Sequence, residues 1–134
     1  MRYLLDADWV ISFLNGRDNA IQLVRELADE GLAVSVITYG EIYEGLLARP
    51  HPTRHISQLR EFSELVDLVT LDLTIARRYA KIRSVLRGQG LLIPDNDLWI
   101  AATALARRLT LVSQDRHFAR IPELKLYQGG KASE

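Results

Sequence analysis

The sequence predicts an α/β fold: a three-layer α/β/α domain on a five-stranded, mostly parallel sheet. Three observations carry that reading. Short apolar runs alternate along the chain with segments of helical periodicity, the order expected of parallel strands joined by crossover helices. The first of those runs is apolar without alternation, as a strand covered on both faces must be. No internal repeat, low-complexity tract or linker interrupts the 134 residues, 48% of which are hydrophobic, so one continuous core is expected. Residues 1–128 are read as a single domain and residues 129–134, small and polar, as a frayed C-terminal tail.

Each element follows from local chemistry. Tyr3-Leu4-Leu5 is the first strand, ended by Asp6. Asp8 precedes a short helix through Trp9, Val10, Ile11, Phe13 and Leu14, which stops near Asn15-Gly16. Ala20, Leu23, Val24, Leu27 and Ala28 recur at helical spacing with charges between them, and Gly31 ends that helix. Ala33 to Ile37, rich in β-branched residues, is the second strand. Thr38-x-x-Glu41 leads into a helix through Ile42, Tyr43, Leu46 and Leu47, and Pro50 and Pro52 break the chain. An amphipathic helix runs from Ile56 to Leu68, and Val69-Thr70-Leu71 is the third strand, closed by Asp72. Ile75, Tyr79, Ile82 and Leu86 form the apolar stripe of a long basic helix that Gly88 and Gly90 terminate. Asp95 to Leu105 opens with acids and continues as an apolar helix, followed by strand Thr110 to Ser113, a turn at Asp115 to Phe118, and a last strand, Leu124 to Tyr127.

Composition excludes several classes. No apolar run approaches the ~20 residues of a transmembrane helix. An acid at position 6 comes too early for a signal peptide. With no cysteine there is neither a disulfide framework nor a thiolate metal site. A cytoplasmic protein is therefore expected. Seventeen basic and seventeen acidic residues leave no net charge, which excludes a protein that holds nucleic acid by bulk electrostatics alone. If several acids bind metal, the remainder is mildly basic and nucleic acid becomes an allowed substrate.

Four acids carry the chemistry. Ligands of an open parallel sheet bind beyond the carboxyl ends of its strands. Asp6 follows the first strand, Glu41 lies one helical turn past the second, and Asp115 lies just past the fourth. Asp97 opens the helix that feeds the fourth. Singly, each has a local explanation: Thr38 and Glu41 make a capping box, Asp8 and Asp97 act as N-caps, and Asp6 and Asp115 make Asx turns. Together they would gather carboxylates from four elements at one sheet edge. Such a group needs protons or a cation at neutral pH. Oxygen donors without cysteine or a well-placed histidine select a hard divalent ion, Mg²⁺ or Mn²⁺. His51, His55 and His117 are too scattered for a zinc set, and His117 reads as a surface histidine.

Four segments then resemble one family in its order: Tyr3 to Asp8, Ser35 to Glu41, Asn96 to Ala102, and Leu111 to Phe118. They resemble PIN-domain ribonucleases, most closely the VapC toxins of prokaryotic toxin–antitoxin pairs. The resemblance implies a PIN-like fold and a Mg²⁺- or Mn²⁺-dependent endoribonuclease that cleaves RNA phosphodiesters. It implies Asp6, Glu41, Asp97 and Asp115 as metal-binding and catalytic residues, with Ser113 at a small hydroxyl position beside them. It also implies a homodimer and a VapB-like antitoxin over the acidic cleft, for which Trp9, Phe13, Tyr43 and Leu47 are candidate apolar contacts. Asp8 stands where the family often has Asn and is not read as a ligand; Asp95 is given no role. The basic helix Arg77 to Arg87 is either an RNA-backbone contact or a solvated face.

Three other readings compete. A phosphatase of the haloacid dehalogenase type would use Asp6 as nucleophile and Asp8 as acid and base, but leaves Glu41 and Asp97 unexplained. A receiver-like or binding-only domain would gather Asp6, Asp8 and Asp72 with Lys125. A catalytically inactive PIN scaffold that only binds partners is the third alternative.

Overall fold

A computed structural model describes residues 2–127 and places five strands in the order β3-β2-β1-β4-β5, every neighbouring pair parallel. The strands are β1 (Tyr3–Leu5), β2 (Leu32–Ser35), β3 (Asp67–Val69), β4 (Thr110–Val112) and β5 (Leu126–Tyr127). The helices are α1 (Ala7–Leu14), α2 (Asp18–Ala28), α3 (Val36–Leu47), α4 (Thr53–Ser63), α5 (Leu73–Gln89) and α6 (Asp95–Arg107), with a 3₁₀ turn at Arg116–Arg120.

Alternate strand residues feed two cores, one on each face. Leu4, Ala33 and Leu111 pack with α5 and α6 through Ile75, Leu86, Leu98 and Ile100. Their neighbours Leu5, Val34 and Val112 pack with α1 to α4 through Val10, Leu23, Leu59 and Phe62. This is the expected three-layer arrangement. β1 and β4 pair side by side although the chain runs outward to β3 before returning. The strand order therefore reverses at the β1–β4 crevice, where the carboxyl ends of two central strands face the same space. No helix among the described residues is long and apolar enough to cross a membrane.

Several boundaries differ from expectation. β2 stops at Ser35, because Ser35 Oγ accepts the Ile37 amide at 3.1 Å and starts α3 there. Val36 and Ile37 are helical despite their β-branching: one side-chain cap outweighs a weak strand preference. Thr38 is then buried inside the first turn, its hydroxyl without a hydrogen-bond partner, and the Thr38–Glu41 capping box does not form. β3 covers Asp67–Val69, so α4 ends at Ser63, well short of Leu68. Asp72 caps α5, its Oδ1 accepting the Ile75 amide at 2.9 Å. Asp6, and not Asp8, caps α1. In α6 the N-cap is Pro94, so Asp97 is the third helical residue and no cap. β5 is confined to Leu126–Tyr127. The tail assigned to residues 129–134 lies outside the described residues.

Candidate metal centre

The site grows from the ends of β1 and β4. Asp6 follows β1 directly, and its amide donates to Val112 O at 3.0 Å, extending the strand pairing by one residue. The residue is only 7% exposed. Oδ1 accepts the Ala7 amide at 2.8 Å, and Oδ2 accepts the Ser113 hydroxyl at 2.7 Å. Ser113 Oγ in turn accepts the Asp115 amide at 3.0 Å. Donating to one carboxylate while accepting from the next loop is a task that the short hydroxyl side chain of serine meets.

Asp115 caps the 3₁₀ turn through the His117 amide, 2.9 Å from its Oδ1. That turn swings the His117 ring back over the acids. His117 Nδ1 lies 3.1 Å from Asp97 Oδ2 and 3.3 Å from Asp115 Oδ1. Asp97 reaches them from the first turn of α6, where the helix dipole favours a negative charge. Ligand atoms of Asp97, Asp115 and His117 all fall within 4.8 Å of one another.

Glu41 stands at the margin, exposed on α3, and is tied to the others through Asn96, whose Nδ2 donates to Oε2 at 3.0 Å. Asn96 had no role in the sequence reading. Neither did the His117 contact, and the reading of His117 as a plain surface residue is corrected here. The only local hint was its position two residues past Asp115.

Electrostatics mark the same place. Burial pushes the Asp6 carboxyl up to about 6; the Ser113 and Ala7 hydrogen bonds pull against it, and the charges of Asp8 and Asp97 add to it. Burial also raises Asp97; the His117 hydrogen bond opposes this and the Asp115 charge reinforces it. Buried carboxyls with other acids beside them ionise at a cost that a bound cation would offset. An oxygen-rich donor set of this kind fits a hard divalent cation.

The other acids have structural partners. Asp95 turns outward, where Tyr79 Oη and Arg83 Nε donate to its Oδ1 at 3.1 and 3.3 Å. Asp72 pairs with Arg107 at 2.6 Å, and Lys125 lies beside Arg2, Glu30 and Arg108 in a polar pocket by the start of β4. The Asp6–Asp8–Asp72–Lys125 cation pocket therefore does not form. Asp8 is exposed, and Asp6 is fixed on both oxygens, a poor posture for a phosphatase nucleophile. Of the side chains nominated for partner contact, Trp9 is buried in the core and Phe13 packs on Phe62. Tyr43 is half-buried and Leu47 is exposed.

Residues 3–124 match the PIN domain family. Ribonuclease VapC5 of Mycobacterium tuberculosis is 33% identical over 120 residues, covering 88% of this chain and 86% of that one. The chain belongs to the VapC ribonucleases of the PIN-domain family. Ribonuclease VapC2 of Haemophilus influenzae is also 33% identical, over 93% of this PIN domain and 96% of its own length. Among solved structures, VapBC2 from Rickettsia felis, bound to a DNA fragment from their promoter, superposes at a TM-score of 0.88 with 29% identity. That match covers 95% of this chain and 98% of the other. VapBC-1 from nontypeable Haemophilus influenzae gives 0.84 and 28%, over 95% and 97%. A family with this fold and this name removes the ground for the phosphatase reading.

Proposed function

We propose that this PIN domain is a divalent-metal-dependent endoribonuclease and the toxin of a toxin–antitoxin pair. The observation that carries the reading is the convergence of Asp6, Asp97 and Asp115 at the β1–β4 crevice, where burial and neighbouring acids hold Asp6 and Asp97 above the ordinary carboxyl range. Asp6, Glu41, Asp97 and Asp115 hold Mg²⁺ or Mn²⁺. When bound, such an ion supplies charge for the phosphodiester transition state and acidifies a water for attack.

The chain's own residues do the rest. Ser113 fixes the distance between Asp6 and the Asp115 loop, so both carboxyls arrive already oriented. Asn96, the neighbour of Asp97 in the chain, anchors the Glu41 carboxylate. Without a cation Asp6 gives up its proton only around pH 6, so below that pH its neutral form limits repulsion among the acids. Family relatives crystallise as VapBC complexes. An antitoxin of the VapB kind is accordingly the proposed partner, and a homodimer the proposed state. A pocket of about 160 Å³ between α1, α3 and α4, lined by Ile11, Leu14, Leu46 and Arg49, includes Glu41 and offers an antitoxin side chain a seat beside that acid.

The test is Asp97→Asn. It keeps the size of a residue that caps nothing and removes one ligand charge. Purified Asp97→Asn is expected to cleave RNA in Mg²⁺ at least about a hundredfold more slowly than the parent, with its thermal unfolding unchanged or improved. Equal cleavage rates would refute the metal-site reading.

A further inference from the structure

The ring of His117 faces Asp97 and Asp115, and the four-carboxylate assignment leaves it idle. Its ring position is not needed for the local fold, because the backbone amide of His117 already secures the 3₁₀ turn through Asp115. Nδ1 faces Asp97 and Asp115, while Nε2 has no protein partner among the described residues and the side chain is 41% exposed. A neutral imidazole can therefore carry its proton on Nε2, toward water, and keep the Nδ1 lone pair toward the carboxylates.

The spacing suits coordination as well as it suits hydrogen bonding. An ion with six ligands at 2.0–2.2 Å in an octahedron separates adjacent ligand atoms by about 3 Å. His117 Nδ1 stands 3.1 and 3.3 Å from its two carboxylate oxygens. Both separations are those of adjacent corners of one such polyhedron, and the ligand atoms of all three residues lie within 4.8 Å of one another. We infer that His117 Nδ1 is a metal ligand beside Asp97 and Asp115, and that this nitrogen shifts the site's preference from Mg²⁺ toward Mn²⁺. Mg²⁺ takes oxygen donors and binds imidazole poorly, whereas Mn²⁺ accepts both. The inference rests on the metal-dependent reading above. Its competitor is a His117 that only bridges the two carboxylates as a hydrogen-bond donor and leaves no mark on a bound ion.

Mn²⁺ is its own probe. The full chain, stripped of metal and titrated with Mn²⁺, is examined by pulsed electron paramagnetic resonance for ¹⁴N coupling to the ion. Affinities for Mn²⁺ and Mg²⁺ are measured in parallel by calorimetry, with no substrate present. The parent is expected to show imidazole nitrogen coupling, and His117→Gln to lose it. His117→Gln is also expected to weaken Mn²⁺ by about tenfold and Mg²⁺ by much less, so the ratio of the two affinities falls. Because the coupling is read in the unaltered protein, the result does not depend on the variant folding. If the parent binds Mn²⁺ without nitrogen coupling, or if the coupling survives in His117→Gln, His117 is not a ligand while the carboxylate site stands. If the parent binds Mn²⁺ no better than Asp97→Asn does, the metal site itself fails and this inference with it.

Discussion

Replacing Asp6 by asparagine removes a titrating group from the most buried point of the crevice while leaving an oxygen to accept the Ala7 amide or the Ser113 hydroxyl. The Asp6 carboxyl is raised from 3.8 to about 6, with burial as its chief cause. The folded protein thus binds this proton more tightly than the unfolded chain does, and ionisation works against folding. No penalty exists below about pH 3.8; it grows as pH rises and is complete above about pH 6. A shift of roughly two pKa units is worth about 3 kcal/mol in the metal-free protein. Urea unfolding of parent and Asp6→Asn in the presence of a chelator, near pH 4 and near pH 7, isolates that contribution from all other titrating groups. The two proteins should be about equally stable at the acid end, and Asp6→Asn should be the more stable, by up to about 3 kcal/mol, at neutral pH. Adding Mn²⁺ at neutral pH should then stabilise the parent and leave the variant nearly unmoved. Parallel stability curves for the two proteins across the range would refute the argument, since they would mean that Asp6 titrates normally.

Ser113→Ala strips Asp6 of its hydroxyl donor and Asp115 of its amide acceptor. It should cost about 1–3 kcal/mol of stability and shift the Asp6 titration further upward, measured by unfolding and by carboxyl NMR titration. Asp72→Ala is the contrasting case. It removes the α5 cap and the Arg107 pair, so it should lose about 1–2 kcal/mol in thermal unfolding with RNA cleavage per folded molecule unchanged. A cleavage defect in Asp72→Ala would place that acid in the site after all.

What the sequence discloses depends on how local the cause is. The alternation of β1, β2 and β4 with their helices is readable because burial on both faces leaves near-continuous apolar runs, and β4 and β1 fall within a residue of expectation. Choices among equivalent caps are not readable. Ser35 and Thr38 offer hydroxyls one turn apart before the same helix, and Asp95, Asn96 and Asp97 are all acceptable cap residues, yet α6 starts after Pro94. The acids announce themselves as a set, but their secondary partners do not. Asn96 meets Glu41 across 55 residues of chain, and the His117 ring is aimed by an irregular turn that has no periodicity to detect. The Asp8 and Asp97 caps failed for the same reason: a carboxylate beside a helix start has several uses, and only the tertiary contacts select one.

The hydrogen bond from Ser113 to Asp6 joins residues separated by 107 positions, and β1 has β4 as one of its two neighbours. During synthesis the chain delivers Asp6 first and its partners last. A nascent polypeptide that has emerged only as far as α6 has β1 paired on one side alone, without Ser113, Asp115 or His117. The constellation of acids therefore comes into being only when nearly all of the described chain is free to fold. Until then the emerging protein lacks the assembled centre on which the proposed cleavage depends.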